Sequence, residues 1–190
     1  EELVRAINAA LPDSHYHLTA DSLMNLGYCS FEFSTFIREM CCRIANIPHF
    51  HFHQGYRLVQ SMAYMLRALP LRQAYNVVPR FAAKFADIDL RVIHLGTSSA
   101  TLRWYGGAMV RRSSAALLPH VIHMSCQTVQ GSMAYMPVGV ANLPPAKIKE
   151  TKCQLHGDEY CEWEFSWEPL RPSRYRSIWV GLGVAAALLG

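Results

Sequence analysis

Apolar residues recur every three or four positions through most of the first half of the chain, the spacing of a buried helix face. The segments predicted to be helical are residues 1–11, 19–26, 31–45, 57–69, 71–78 and 81–86. Pro79 separates the last two, and Ser30 is the expected N-cap of the third. A further helix is predicted over 117–136.

A first hairpin is predicted where the pattern changes to alternation. The β-prone runs 89–95 and 100–105 flank a short turn of glycine, threonine and serine. His94 shares the parity of the apolar residues in the first run, and Trp104 shares that of the second, so both are expected to face inward. Beside an apolar pocket they could hydrogen-bond the polar end of a small ligand. A plain core role for each is the alternative.

A second hairpin is predicted over 147–167, around the turn Gly157-Asp158. In its second strand the aromatic residues share the parity of Cys161, which is typical of a strand with one buried face. Cys153, in the first strand, is placed so that its thiol can project from the same side. The chain as a whole is therefore predicted to be α+β, an antiparallel sheet of hairpins flanked by helices after an amino-terminal helical part.

Four residues are candidate ligands of a structural zinc ion. Cys126, in the helix 117–136, combines with Glu150, Cys153 and Cys161 in the pattern C-x23-E-x2-C-x7-C. Three thiolates and one carboxylate would complete a closed tetrahedral site. Glu150 has the opposite parity to Cys153, so a bulge or twist is required. A disulfide between the two hairpin cysteines, or a core of small buried residues, are the alternatives.

The segment E-T-K-C-Q-L-H-G-D-E-Y-C resembles the E-x2-C-x3-G-D-x2-C signature of the 4-vinyl reductase-like sensor domains. That family includes the ligand-sensing domains of phenol- and xylene-responsive bacterial transcription activators. The resemblance covers residues 126–167 and implies a zinc ion held by Cys126, Glu150, Cys153 and Cys161. It also implies a homodimer that binds a small hydrophobic or aromatic ligand, with Trp104 near the place of a ligand-contacting tryptophan.

The composition is that of a folded domain, because 51% of the 190 residues are hydrophobic and 17% are charged. The net charge of +4 comes without a basic block interleaved with aromatics, which argues against nucleic-acid binding. The sequence contains no P-loop, G-x-S-x-G, G-x-G-x-x-G or H-E-x-x-H motif. A zinc ion with four protein ligands does not activate water, so we expect no enzymatic activity of this fragment.

Residues 178–190 carry no charge and are expected to begin a transmembrane helix, although a full span needs about 20 residues. The Arg-rich residues 169–177 would then be the juxtamembrane linker, and a buried core helix is the alternative. We expect a ligand-sensing domain over 1–168, mainly helical over 1–87 and mixed over 88–168. We expect it to lie on the cytoplasmic side of a bacterial inner membrane. The resemblance to the sensor domains further implies that it controls an output such as a cyclase, diguanylate cyclase or histidine kinase.

Two other functions stay open. His49, His51 and His53 alternate between Pro48 and Gly55, and they could bind haem in a gas or redox sensor if the segment were a strand. The proline and glycine favour one or two helical turns instead, on which residues two apart do not face each other. The family name also allows an accessory role for a tetrapyrrole-related enzyme.

Overall fold

The computed structural model describes residues 1–24, 31–86 and 88–169. The first part is helical: α1 (Glu2–Ala10), α2 (Ala20–Met24), α3 (Phe31–Ala45), α4 (Phe50–Leu66) and α5 (Leu71–Ala86). The second part contains β1 (Leu90–Leu95), β2 (Ser99–Trp104), α6 (Gly107–Arg112), α7 (Leu118–Ala141), β3 (Lys147–Lys152) and β4 (Cys161–Ser166). The predicted α+β class is confirmed. The expected N-cap Ser30 and the expected linker and transmembrane segment from residue 170 onward lie outside the described residues.

Four strands of the described chain form an antiparallel sheet in the order β1-β2-β4-β3. The central strands β2 and β4 pair with Trp104 opposite Cys161 and Leu102 opposite Trp163. All four of these side chains are buried, so one face of the sheet packs into the core beneath α5 and α7. Both predicted hairpins are confirmed, because β1 pairs with β2 and β3 pairs with β4.

The backbones of α4 and α7 approach each other closely at two glycines. A methyl group on Gly55 would collide with the carbonyl oxygen of Thr128, and one on Gly131 would collide with that of Phe52. The hydroxyl of Ser132 donates to the carbonyl of Gly55 at 3.1 Å. Since glycine is the residue that permits such an approach, these positions fix how α7 lies on α4.

Three predicted helix boundaries are wrong. The short turn expected to end at Gly55 and the helix expected over 57–69 are one helix, α4, because Gly55 serves as a packing site and not as a stop. α5 continues through Pro79, whose side chain is buried, so burial of this helix outweighs the missing backbone bond. α7 likewise continues past Pro137 to Ala141.

The predicted inward orientation of His94 is also wrong. The pairing of β1 with β2 shifts between Val92 and His94, so a bulge breaks the alternation that Leu90 begins. His94 is exposed as a result. Trp104 is 1% exposed and faces inward as predicted.

Tyr75 joins α5 to α7 at the proline within α7. Pro137 has no N–H to donate to the carbonyl of Met133, four residues earlier, and the hydroxyl of Tyr75 donates to that carbonyl at 2.8 Å. Burial raises the pKa of the Tyr75 phenol, so it stays a donor. Its ring also stacks on Trp167 at 4.5 Å between centroids. Tyr75 thus connects two helices with the end of β4.

In residues 1–24, 31–86 and 88–169, no helix combines the length and the apolar character needed to cross a membrane.

Gly131→Ala is expected to lower the free energy of unfolding by about 2 kcal/mol. The sign of this change is informative, because alanine in a helix interior ordinarily raises the free energy of unfolding by about 1 kcal/mol relative to glycine. Here the new methyl would meet the carbonyl of Phe52. Urea unfolding measures the difference. The control is Gly139→Ala in the same helix, where the nearest atom is on the Tyr135 ring at 3.3 Å. Equal midpoints for the two variants would contradict the close helix contact.

Tyr75→Phe is expected to destabilise the protein by about 1–3 kcal/mol, because the buried carbonyl of Met133 would lose its donor. Thermal unfolding followed by circular dichroism measures the loss. Tyr64→Phe removes the same hydroxyl from a side chain that is 90% exposed and should leave the melting temperature unchanged. A Tyr75→Phe variant as stable as the control would show that the carbonyl finds another partner.

Candidate functional site

Three buried thiols converge where α7 meets the second hairpin. Cys126 projects from α7, Cys153 follows β3 directly, and Cys161 opens β4. The Sγ atoms of Cys126 and Cys161 are 3.1 Å apart, those of Cys153 and Cys161 are 4.0 Å apart, and all three lie within 4.8 Å of one another. All three are free thiols, so the disulfide alternative does not describe this state.

The turn of the hairpin positions two of these thiols. Gly157 adopts a φ of 93°, which lets the chain reverse after a short 3-10 helix at Gln154–His156. The carboxylate of Asp158 accepts from the amide of Cys153 at 2.9 Å, and the amide of Gln154 donates to the Sγ of Cys161 at 3.3 Å. The G-D pair of the motif therefore shapes the loop that holds the cysteines.

The hydrogen bonds make Cys161 the most acidic thiol of the three. A hydrogen bond from the Cys126 thiol lowers the pKa of Cys161 against the effect of burial, and the amide of Gln154 adds to this. The pKa of Cys126 is raised by the same bond and by burial, and burial raises that of Cys153. Sulfur ligands bind a cation as thiolates, and Cys161 is the thiol of the three that loses its proton most readily.

Glu150 lies beside the cluster on an exposed position. The pairing of β3 with β4 shifts between Glu150 and Lys152, which is the irregularity that its parity requires. A carboxylate oxygen lies within 4.8 Å of the Sγ of Cys153 and of a ring nitrogen of His156. Glu150 Oε2 also accepts from the Trp163 indole at 2.9 Å and from the Gln130 amide at 3.0 Å. Such outer partners orient a ligating carboxylate.

His156 was not among the residues indicated by the sequence, and it stands as a second candidate for the fourth ligand. The spacing C-x2-H from Cys153 within the turn is the signal that could have found it. The described residues thus offer three soft ligands and a choice of one carboxylate or imidazole. Zinc accepts each of these donors.

The geometry of the cluster fits a metal with small adjustment. Sulfurs bound to one tetrahedral zinc at about 2.3 Å lie about 3.8 Å apart. The distance of 4.0 Å between Cys153 and Cys161 is close to this value, and the distance of 3.1 Å between Cys126 and Cys161 is shorter. Separating that pair by less than 1 Å would admit the ion.

A second feature is an apolar cavity of about 220 Å³ between α4, α5, α7 and the start of β1. It is lined by Leu58, Val59, Met62, Val78, Phe81, Ala82, Ile88, Leu90, Thr128, Val129, Ser132 and Met133. Its two hydroxyl groups are already engaged, since Thr128 donates to the carbonyl of Met124 at 2.8 Å and Ser132 to that of Thr128 at 2.8 Å. The wall is therefore almost entirely apolar.

A smaller cavity of about 170 Å³ adjoins the first. The two share lining from Leu58, Ile88, Thr128 and Val129. The smaller one adds Arg38, Trp104 and Ser125 to the wall, so its lining is more polar than that of the first. Of the two predicted ligand-binding residues, Trp104 lies at this space, and the exposed His94 lines a shallow depression over the sheet.

The three alternating histidines do not point to one place. His51 is 4% exposed in the first turn of α4, and His49 and His53 are exposed. Burial and the nearby Arg38 guanidinium lower the pKa of His51, so it stays neutral. None of the three lines either part of the space described above.

No protein-family model and no curated protein matches the sequence. Among solved structures, the fold is similar to the phenol-responsive sensory domain of the transcription activator PoxR with phenol, with a TM-score of 0.52, 10% identity and 81% of each chain covered. It is also similar to the Fe(II) unliganded H-NOX protein from K. algicida, with a TM-score of 0.51, 11% identity and 90% of each chain covered. A mutant of that H-NOX protein is similar with a TM-score of 0.52 and 10% identity, and the match covers 92% of this chain and 89% of the other. At these identities the similarity is one of fold.

Proposed function

We propose that this chain is a sensor domain that binds a small apolar molecule between α4, α5 and α7. The observation that carries the proposal is the cavity of about 220 Å³ with its almost entirely apolar wall. A dry cavity of about 150 Å³ is enough to bind benzene. The space therefore suits a ligand of one aromatic ring or a short chain. The fold similarity to a phenol-responsive sensory domain supports the same class.

The proposal includes a structural zinc ion held by Cys126, Cys153 and Cys161, with Glu150 as the fourth ligand. Three buried thiols within 4.8 Å of one another support it, as does the match to the E-x2-C-x3-G-D-x2-C signature of the 4-vinyl reductase-like sensors. The ion would attach the hairpin to α7 and contribute to folding. With four protein ligands it has no open position for a substrate, so we propose no catalytic role.

The cavity and the thiol cluster share α7, which suggests how a signal would travel. Val129 and Met133 line the cavity one and two turns after Cys126. A ligand that binds two arrangements of α7 unequally would shift the hairpin between them. The hairpin ends in Trp167, close to the sequence expected to be a linker. We propose that the signal continues from there.

The cellular setting remains part of the proposal. The uncharged residues 178–190 and the arginines just before them support a membrane anchor with the domain on the cytoplasmic side of a bacterial inner membrane. The resemblance supports a homodimer and a signalling output domain. Cross-linking and fractionation of the full-length protein would test these parts separately from ligand binding.

Val129→Phe is expected to abolish binding of a neutral probe, 3-phenylpropan-1-ol, because the larger ring would fill the cavity where its two parts meet. Isothermal titration calorimetry measures binding to the wild-type protein and the variant. The control is Leu155→Phe, which adds an aromatic ring on the exposed hairpin turn. Equal affinity of all three proteins would place the ligand elsewhere, and no binding to the wild type would contradict the proposed function.

Native mass spectrometry of protein purified without chelator is expected to give one zinc ion per chain. Cys153→Ser should lose the ion and lower the melting temperature, because two thiolates and one carboxylate hold zinc poorly. Cys41→Ser changes a half-buried cysteine of α3 outside the cluster, so it should keep the zinc ion and the wild-type melting temperature. Glu150→Gln should weaken zinc binding and His156→Asn should not. The reverse result would make His156 the fourth ligand, and metal-free wild-type protein would exclude the zinc site.

A further inference from the structure

Arg38 is a half-buried cation that lines the smaller cavity. It projects from α3 into the space that adjoins the apolar part. Its Nη2 donates to the side-chain oxygen of Gln54 at 2.8 Å, and its Nε is buried without any hydrogen-bond partner. Burial lowers the pKa of the guanidinium.

No carboxylate of the described residues forms an ion pair with Arg38. The described ion pairs join Arg43 to Glu39, Arg91 to Asp89, Arg103 to Glu162 and Lys149 to Glu164. Gln54 is neutral, and the nearby His51 is held neutral by burial. A buried charge is costly unless an opposite charge and hydrogen bonds compensate it. Among the described residues, none supplies an anion to this guanidinium.

The cavity in front of Arg38 adjoins the apolar cavity. Leu58, Ile88, Thr128 and Val129 line both. Trp104 and Ser125 complete the wall around the guanidinium. A molecule with one charged end and one apolar end would match this arrangement along its length.

We propose that the ligand is a carboxylic acid with an apolar body, whose carboxylate pairs with Arg38 while its ring or chain occupies the cavity between α4, α5 and α7. The inference rests on the proposed function and names the ligand class of the same site. A planar guanidinium matches a carboxylate through two parallel N–H donors, and the unpartnered Nε is one of the donors such a pair uses. A neutral phenol or hydrocarbon would leave the charge uncompensated.

The test compares two probes of the same shape, 3-phenylpropanoate and 3-phenylpropan-1-ol, by isothermal titration calorimetry at pH 7. The wild-type protein is expected to bind the acid about tenfold or more tightly than the alcohol, as for a hydrogen bond between charged groups. Arg38→Gln should abolish this preference, so that the acid and the alcohol bind with equal affinity. Arg112→Gln, which removes an exposed arginine of α6, should behave as the wild type.

The outcomes separate the two proposals. Equal binding of acid and alcohol by the wild type, or a preference that survives in Arg38→Gln, would overturn the carboxylate inference and leave the apolar sensor cavity standing. Failure of both probes to bind would overturn the proposed function and the inference with it. Arg38→Lys is the control for a folding defect in Arg38→Gln. It keeps the charge without the two-pronged geometry, and it should retain part of the preference for the acid.

Discussion

The contact between the backbones of α4 and α7 fixes the position of both candidate sites. α7 brings Cys126 to the thiol cluster and, within the next turn, brings Thr128 and Val129 to the cavity wall. A side chain at Gly55 or Gly131 would push the helices apart. Because interiors are closely packed, that separation would open the cavity and withdraw the α7 thiol from the hairpin together. The two sites are consequences of one packing contact.

The sequence predicted the elements whose pattern is local. Both hairpins follow from alternation around turn residues, and the helix Phe31–Ala45 follows from its apolar stripe. The errors occur where a distant partner overrides a local signal. Gly55 looks like a helix stop, but its partner in space, Ser132, is 77 residues away in sequence. Pro79 looks like a break, and only the burial of α5 explains why the helix continues.

The candidate site was predictable to the extent that its ligands share one motif. Cys153 and Cys161 belong to a short hairpin whose spacing is fixed by its turn, so their proximity could be predicted. The bulge that exposes His94 leaves no mark in the sequence. Arg38 was equally hidden, because an arginine on an amphipathic helix is usually solvated. That its Nε has no partner emerges only once α3, α4 and α7 surround the side chain.

The proposed metal and the proposed ligand would act on neighbouring turns of α7. A zinc ion at Cys126 would hold the first half of the helix to the hairpin. A ligand could then move that half of α7 only a little relative to the hairpin. The second half is held differently, because the carbonyl that Pro137 leaves free is bonded by Tyr75, whose ring stacks on Trp167. A ligand shifts the equilibrium between two arrangements of the protein only if it binds them with unequal affinity. The Tyr75 contact is therefore the place where occupancy of the cavity would be converted into movement of the strand end.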